Sequence, residues 1–122
     1  MAFDEAIAAC LRDTTPAALI ALGHIDDPRA VVLLLQCVRF RDWRVRLMAV
    51  RSLAGHDDPV AVAAVERSSK EDCSLPVRVE AALAVFRRDR ARGKTLLTSM
   101  LAHPHVTPSL SALINGALRG ET

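Results

Sequence analysis

Tyrosine is absent, tryptophan occurs once and phenylalanine three times in 122 residues, so aromatic side chains amount to only 3% of the chain. Platforms on which bases could stack are correspondingly few. Lysine is scarce as well: fourteen of the 16 basic residues are arginine. Arginine forms planar, bidentate pairs with carboxylates and is weakly hydrated, which suits internal ion pairs and interfaces. Neither sign of charge dominates. The 14 acidic residues leave a net charge of +2, too balanced to indicate a general affinity for nucleic acid or membrane. Purely apolar runs are short; that from Ala30 to Leu35 is six residues, against the roughly 20 a bilayer crossing needs. Asp4, Glu5 and Arg12 interrupt the first segment, so no secretory signal is expected there. Cysteine is limited to Cys10, Cys37 and Cys73, widely spaced and without a CxxC pair. Three cannot all pair within one chain, and reduced thiols in a cytoplasmic protein are the expectation. No glycine-rich phosphate loop occurs.

What the chain does have is helical period, with proline where helices begin. Thr15-Pro16, Asp27-Pro28, Asp58-Pro59 and Thr107-Pro108 each place a side-chain oxygen at the N-cap and a proline in the first turn. The oxygen accepts from an orphan N–H, and proline lacks the N–H that would go unpaired there. Asp42 before Trp43 and Ser74 before Leu75-Pro76 are two further starts. Gly23 and Gly55 stand near helix ends, where a left-handed cap is cheap for glycine. These signals predict eight helices over about 3–12, 16–23, 28–40, 43–54, 59–69, 75–87, 90–102 and 108–118. Short loops make consecutive helices antiparallel neighbours.

The chain also repeats itself. Leu22-Gly23-His24-Ile25-Asp26-Asp27-Pro28 aligns with Leu53-Ala54-Gly55-His56-Asp57-Asp58-Pro59 at an offset of 31. Ala18 then falls on Ala49 and Leu34 on Val65. At an offset of 32, Val45-Arg46 falls on Val77-Arg78, Ala49 on Ala81, Leu53 on Val85 and Val65 on Leu97. A period of this length holding two helices is the unit of a helical-hairpin solenoid. The alanines are expected where helices approach closely and the leucines in the layers between hairpins.

The string from Asp42 through Val45-Arg46, Ala49, Leu53-Ala54-Gly55 and Asp58-Pro59 to Val62 resembles a HEAT-like repeat of the phycobilisome-lyase type. Ile20 to Gly23 with Asp27 to Val31 repeats that pattern, and Leu75 to Ala84 gives the first half of a third copy. The resemblance implies an all-α fold, a short HEAT-like α-solenoid of about three to four hairpins in one domain. Residues 14–102 would be the repeats, with 1–13 and 103–122 as capping helices. It implies that Arg46 and Arg78 pair with acidic groups within the solenoid, and that the second helix of each hairpin lines the concave face. Two departures stand out. Arg90-Ala91 replaces Asp-Pro in the third copy, so its second helix start is expected to be degraded. The polar stretch from Ser68 to Ser74, long for the family, suggests that the middle unit ends early.

Function is less legible, since such repeats serve many unrelated tasks. Asp26-Asp27 and Asp57-Asp58 could be paired catalytic carboxylates, but recurrence at one structural position favours helix capping. His24, His56 and His103-Pro104-His105 read as turn residues rather than metal ligands. Cys10 and Cys37 belong in the core, and Cys73 in the polar linker is expected to be exposed. No His-Glu dipeptide is present, so the iron-binding hydroxylase activity of some HEAT-like proteins is not supported. Neither a catalytic residue, a metal nor a cofactor is assigned.

The feature that stands out is apolar excess on the helix beginning at Pro28. Val31, Leu34, Leu35 and Val38 suffice for its core stripe, leaving Val32, Leu33 and Phe40 to point elsewhere. Val32, Leu33, Gln36 and Phe40, bordered by Arg29, Arg39, Glu66 and Arg67, form a candidate protein-contact patch, for another protein or a second copy. The alternative is that the N-terminal helix, with Phe3 and Ile7, covers it. A second candidate is the run Arg87, Arg88, Arg90, Arg92 and Lys94, which could hold a phosphate backbone. A bilin-handling accessory role is implied by the resemblance alone.

Overall fold

A computed structural model describes residues 16–120. The helix predicted over 3–12, with Phe3, Ile7 and Cys10, lies outside the described residues, as does Thr15. Seven α-helices and no strand occur among the described residues: α1 (Pro16–Gly23), α2 (Pro28–Cys37), α3 (Trp43–Leu53), α4 (Pro59–Glu71), α5 (Leu75–Arg88), α6 (Arg90–Leu101) and α7 (Pro108–Leu118). They fall into two compact units, one running to Val65 and the other from Glu66, with α4 contributing to both.

In the first unit, α2 packs on α1, and α3 packs on both α1 and α2. The alignment of the two sequence copies is therefore physical: first helix lies on first helix. Ala18 and Ala49, predicted as close-approach positions, are fully buried, and so are Leu22, Leu34 and Leu53. Polar contacts lock the stack. Ser52 Oγ donates to the carbonyl of Leu19 at 2.6 Å, and His56 Nε2 donates to the carbonyl of Leu22 at 3.0 Å. Between these two bonds sits Gly23. A Cβ there would lie 3.1 Å from the Ser52 Cα, and one on Gly55 would lie 3.0 Å from the Gly23 oxygen. Among the described residues the one glycine with positive φ is Gly120, at 80°. Gly23 and Gly55 are thus small because helices touch there, not because the backbone turns left-handed, which corrects the sequence expectation.

In the second unit, α5 and α6 form a tight hairpin and α7 closes over both. Val79, Ala82, Leu83 and Phe86 of α5, Leu97 and Met100 of α6, and Ile114 and Ala117 of α7 make one core. One residue, Asp89, separates α5 from α6. Its backbone is extended (φ −143°, ψ 100°) and its Oδ1 accepts from the N–H of Arg92 at 3.2 Å. The helix start expected to be degraded is therefore capped, by an aspartate one position before the substituted dipeptide. The sharp reversal brings α6 onto α5 at Gly93, where a Cβ would overlap the backbone of Phe86.

Four of the predicted caps are present. Asp27, Asp42, Asp58 and Thr107 accept from the N–H groups of Arg29, Arg44, Val60 and Leu110 respectively. Ser74 makes no side-chain cap bond; Asp72 accepts from the N–H of Ser74 instead, at 2.8 Å. Two helix ends differ from expectation. The α2 helix stops at Cys37 rather than at 40, with Val38 as its C-cap. The α4 helix, predicted to end at 69, runs through Ser68-Ser69 to Glu71. Ser69 is fully buried there, and the i,i+4 pairs Glu66–Lys70 and Arg67–Glu71 support the last turns.

Candidate protein-binding face

The α2 helix has two unlike sides. Ala30, Val31, Leu34 and Cys37 are buried, with Leu35 and Val38 half-buried at the margin. The opposite side carries Arg29, Val32, Gln36, Arg39 and Phe40, all exposed, with Leu33 half-buried beside them. Val32 is 58% exposed and Phe40 40%. This is the helix face predicted from apolar excess. It continues past the helix end because the chain keeps turning: the N–H of Arg39 donates to Gln36 and that of Phe40 to Cys37. Glu66 and Arg67 belong to the second unit. There Glu66 is bonded by Arg92 and Lys70, and Arg67 pairs with Glu71.

Three residues beyond Phe40, Trp43 is 44% exposed at the first position of α3. Arg41 and Arg44 are exposed on either side of it. The sequence reading placed Trp43 merely as a helix start. Its signal is the basic surrounding Arg39-Phe40-Arg41-Asp42-Trp43-Arg44, which places the indole at a helix start among charged residues. The segment is held by Arg46, a buried side chain whose Nη1 donates to the carbonyls of Phe40 at 2.9 Å and Arg41 at 2.8 Å. The resemblance implied an acidic partner for this arginine. Both of these bonds go to backbone carbonyls, while its charge acts on Asp42 from a distance. The Asp42 carboxyl is held below the ordinary carboxylate range chiefly by the N–H of Arg44, then by the Arg44 side chain and the charges of Arg44 and Arg46, against a raising effect of burial.

At the other end of α2 the two Asp-Asp-Pro turns line a cleft of about 430 Å³, together with Gly23, His24, Gly55 and His56. Asp27 and Asp58 are caps, as predicted. Arg29 also reaches back to Asp27 through Nη2 at 2.8 Å, and this side-chain bond is the main cause holding the Asp27 carboxyl below its ordinary value. Whereas His24 is exposed, His56 is buried against Leu22, so the two histidines of the repeat are not equivalent turn residues. His103 accepts the N–H of His105 at Nδ1, 3.1 Å away, which makes that pair a turn. No grouping of His, Cys, Asp or Glu suited to a metal occurs among the described residues. Cys37 is buried and Cys73 exposed, as expected.

The arginine run is partly engaged within the protein. The Arg90 guanidinium lies 4.9 Å from the centre of the Phe86 ring, and Arg92 pairs with Glu66. Arg87, Arg88 and Lys94 are exposed. Among the described residues no helix is long and apolar enough to cross a membrane.

The family model for HEAT repeats matches residues 5–85, and the chain belongs to that family. The match is to HEAT repeats as a class, without distinguishing the phycobilisome-lyase branch. No curated protein matches the chain.

Proposed function

We propose that this protein is a non-enzymatic, cytoplasmic adaptor whose task is to hold a protein partner, or a second copy of itself, on the outward face of α2. Arg29, Val32, Leu33, Gln36, Arg39 and Phe40 make the contact. One observation carries the reading. Val32 stands 58% exposed in the middle of a helix whose other side already fills the core. An isolated exposed valine is ordinary, but here Leu33 on the helix and Phe40 in the turn after it extend the apolar surface. HEAT repeats commonly serve as protein-interaction scaffolds, which agrees with this use of the fold.

Val32→Asp tests it. Because the side chain lies outside the core, circular dichroism and the unfolding midpoint are expected to hold. Capture of the native partner from the source cell, or the sedimentation coefficient if the partner is a second copy, is expected to fall at least about ten-fold, the loss of about 1.4 kcal/mol. Unchanged capture and unchanged sedimentation reject the face.

A further inference from the structure

We infer that what docks here is an acidic protein segment carrying a bulky apolar side chain, gripped by Phe40 and Trp43 with Arg39, Arg41 and Arg44 around them. The inference rests on the α2 face being a docking surface and names the chemistry of its occupant.

The argument begins with placement. Phe40 and Trp43 are two of four aromatic residues in the chain, and both are exposed. Three positions of chain keep their Cα atoms within about 11 Å of each other. Phe40 sits in the turn between α2 and α3 and Trp43 opens α3, and Arg39, Arg41 and Arg44 beside them are also exposed. One carboxylate lies in that stretch, Asp42, and it is engaged as the α3 cap and with Arg44 at 3.4 Å. Among the described residues Arg39 and Arg41 form no ion pair, so their charge is available to a visitor. The turn is also preorganised. Arg46 pins the carbonyls of Phe40 and Arg41 from beneath, so less ordering entropy is lost when a partner arrives. Aromatic and arginine side chains are those that dominate the energetics of protein interfaces.

Arginine and aromatic groups also suit single-stranded nucleic acid, so the choice needs a further fact. It comes from the polarity of α2. Ten residues make the helix about 15 Å long. Its basic-aromatic end is this turn, while Asp26 and Asp27 stand at its other end, lining the cleft with Asp57 and Asp58. A polyanion laid along α2 would find Arg39 and Arg41 at one end, but at the other Asp26 and an Arg29 already paired with Asp27. A peptide with carboxylates at one end and apolar side chains following them suits the whole face, its acids against Arg39 and Arg41 and its apolar groups on Phe40, Trp43 and Val32.

Trp43 supplies the readout. It is the chain's single tryptophan and there is no tyrosine, so emission reports on this turn alone. The full chain is titrated with a peptide of roughly four helical turns whose glutamates are confined to one end and are followed by leucines. Its glutamine and lysine counterparts and an oligothymidylate are run in parallel. A saturable change in Trp43 emission with the glutamate peptide is expected. Affinity should weaken about ten-fold or more for the glutamine peptide and with added salt. Arg39→Glu with Arg41→Glu should remove the response while circular dichroism is unchanged, and Phe40→Ala should weaken it independently of charge. Equal or tighter binding of the glutamine or lysine peptide, tighter binding of the oligonucleotide, or no response to the glutamate peptide at millimolar concentration overturns the inference. The two readings fail separately. If Val32→Asp abolishes capture of the native partner while the charge reversals do not, the α2 face stands and the acidic occupant falls.

Discussion

His56 Nε2 lies 3.0 Å from the carbonyl oxygen of Leu22, thirty-four positions earlier in the chain. Leu22 is in the last turn of α1, where carbonyls lack partners within the helix. One repeat thus closes the helix end of the repeat before it, through a side chain buried to 9% exposure. His56→Ala leaves the Leu22 carbonyl only the longer bond from the N–H of Ile25, at 3.4 Å, and should destabilise the protein by about 0.5–1.5 kcal/mol. His24 holds the matching position in the earlier copy but is exposed, so His24→Ala should cost less than about 0.5 kcal/mol. Urea unfolding of the two variants side by side checks the contrast, and equal midpoints would refute it.

Gly93 and Gly23 are both contact glycines, but of unequal tightness. A methyl at Gly93 has to displace the Phe86 backbone, in the hairpin that carries the second unit's core. At Gly23 it meets the Ser52 Cα at 3.1 Å, a gap that a shift of a few tenths of an ångström relieves. Gly93→Ala is therefore expected to cost about 3 kcal/mol, at or above the top of the usual range for overpacking, and Gly23→Ala about 1 kcal/mol. The thermal midpoints should fall in that order, since the gain in helix propensity from alanine is about 1 kcal/mol in both cases.

Asp27 gives the protein an acid-sensitive contact. Its folded pKa lies below the ordinary value because Arg29 donates to the carboxylate from both side chain and backbone. The unfolded chain has the ordinary value, about 3.9. The stabilisation is thus complete above that pH and is lost as pH falls through the lower, folded value. Asp42 behaves likewise. Asparagine caps as well as aspartate but carries no charge. Asp27→Asn should therefore lower stability at neutral pH and flatten its fall on acidification, as followed by unfolding midpoints between neutrality and about pH 2. A variant curve parallel to that of the parent would show that Arg29 contributes nothing through charge.

How far the sequence carried these conclusions depended on the distance between cause and effect. Helix starts were legible because proline and the cap residue are adjacent, and the core because Ala18, Ala49, Leu22 and Leu53 recur in register. The role of Gly23 was not. A glycine near a helix end looks the same whether it turns the backbone or admits Ser52, and the deciding residue is in the next repeat. Ser69 looked like linker and is buried, because its Oγ bonds the carbonyl of Glu66 within its own helix and its exposure is decided by tertiary packing. The apolar surplus on α2 marked Val32 and Phe40 correctly as lying outside the core stripe. Trp43 escaped notice because the cap signal of Asp42 explained its position without asking what could cover it.

Arg46 links stability to the candidate site, and its removal separates the two. Two bonds from its Nη1 end on carbonyls in the turn between α2 and α3, so the arginine fixes the backbone from which Phe40 and Arg41 project. Methionine keeps most of the apolar stem and removes the donors. Arg46→Met should cost about 1.5–3 kcal/mol, the range for bonds from a charged donor to buried acceptors. The helices themselves do not depend on the guanidinium, so far-UV circular dichroism should stay helical. The turn should loosen, and Trp43 emission, reporting three positions away, should become more accessible to a soluble quencher such as iodide. A destabilised protein with unchanged quenching would mean that the turn holds its shape without Arg46, and that its arrangement of arginine and aromatic groups is fixed by the helix ends alone.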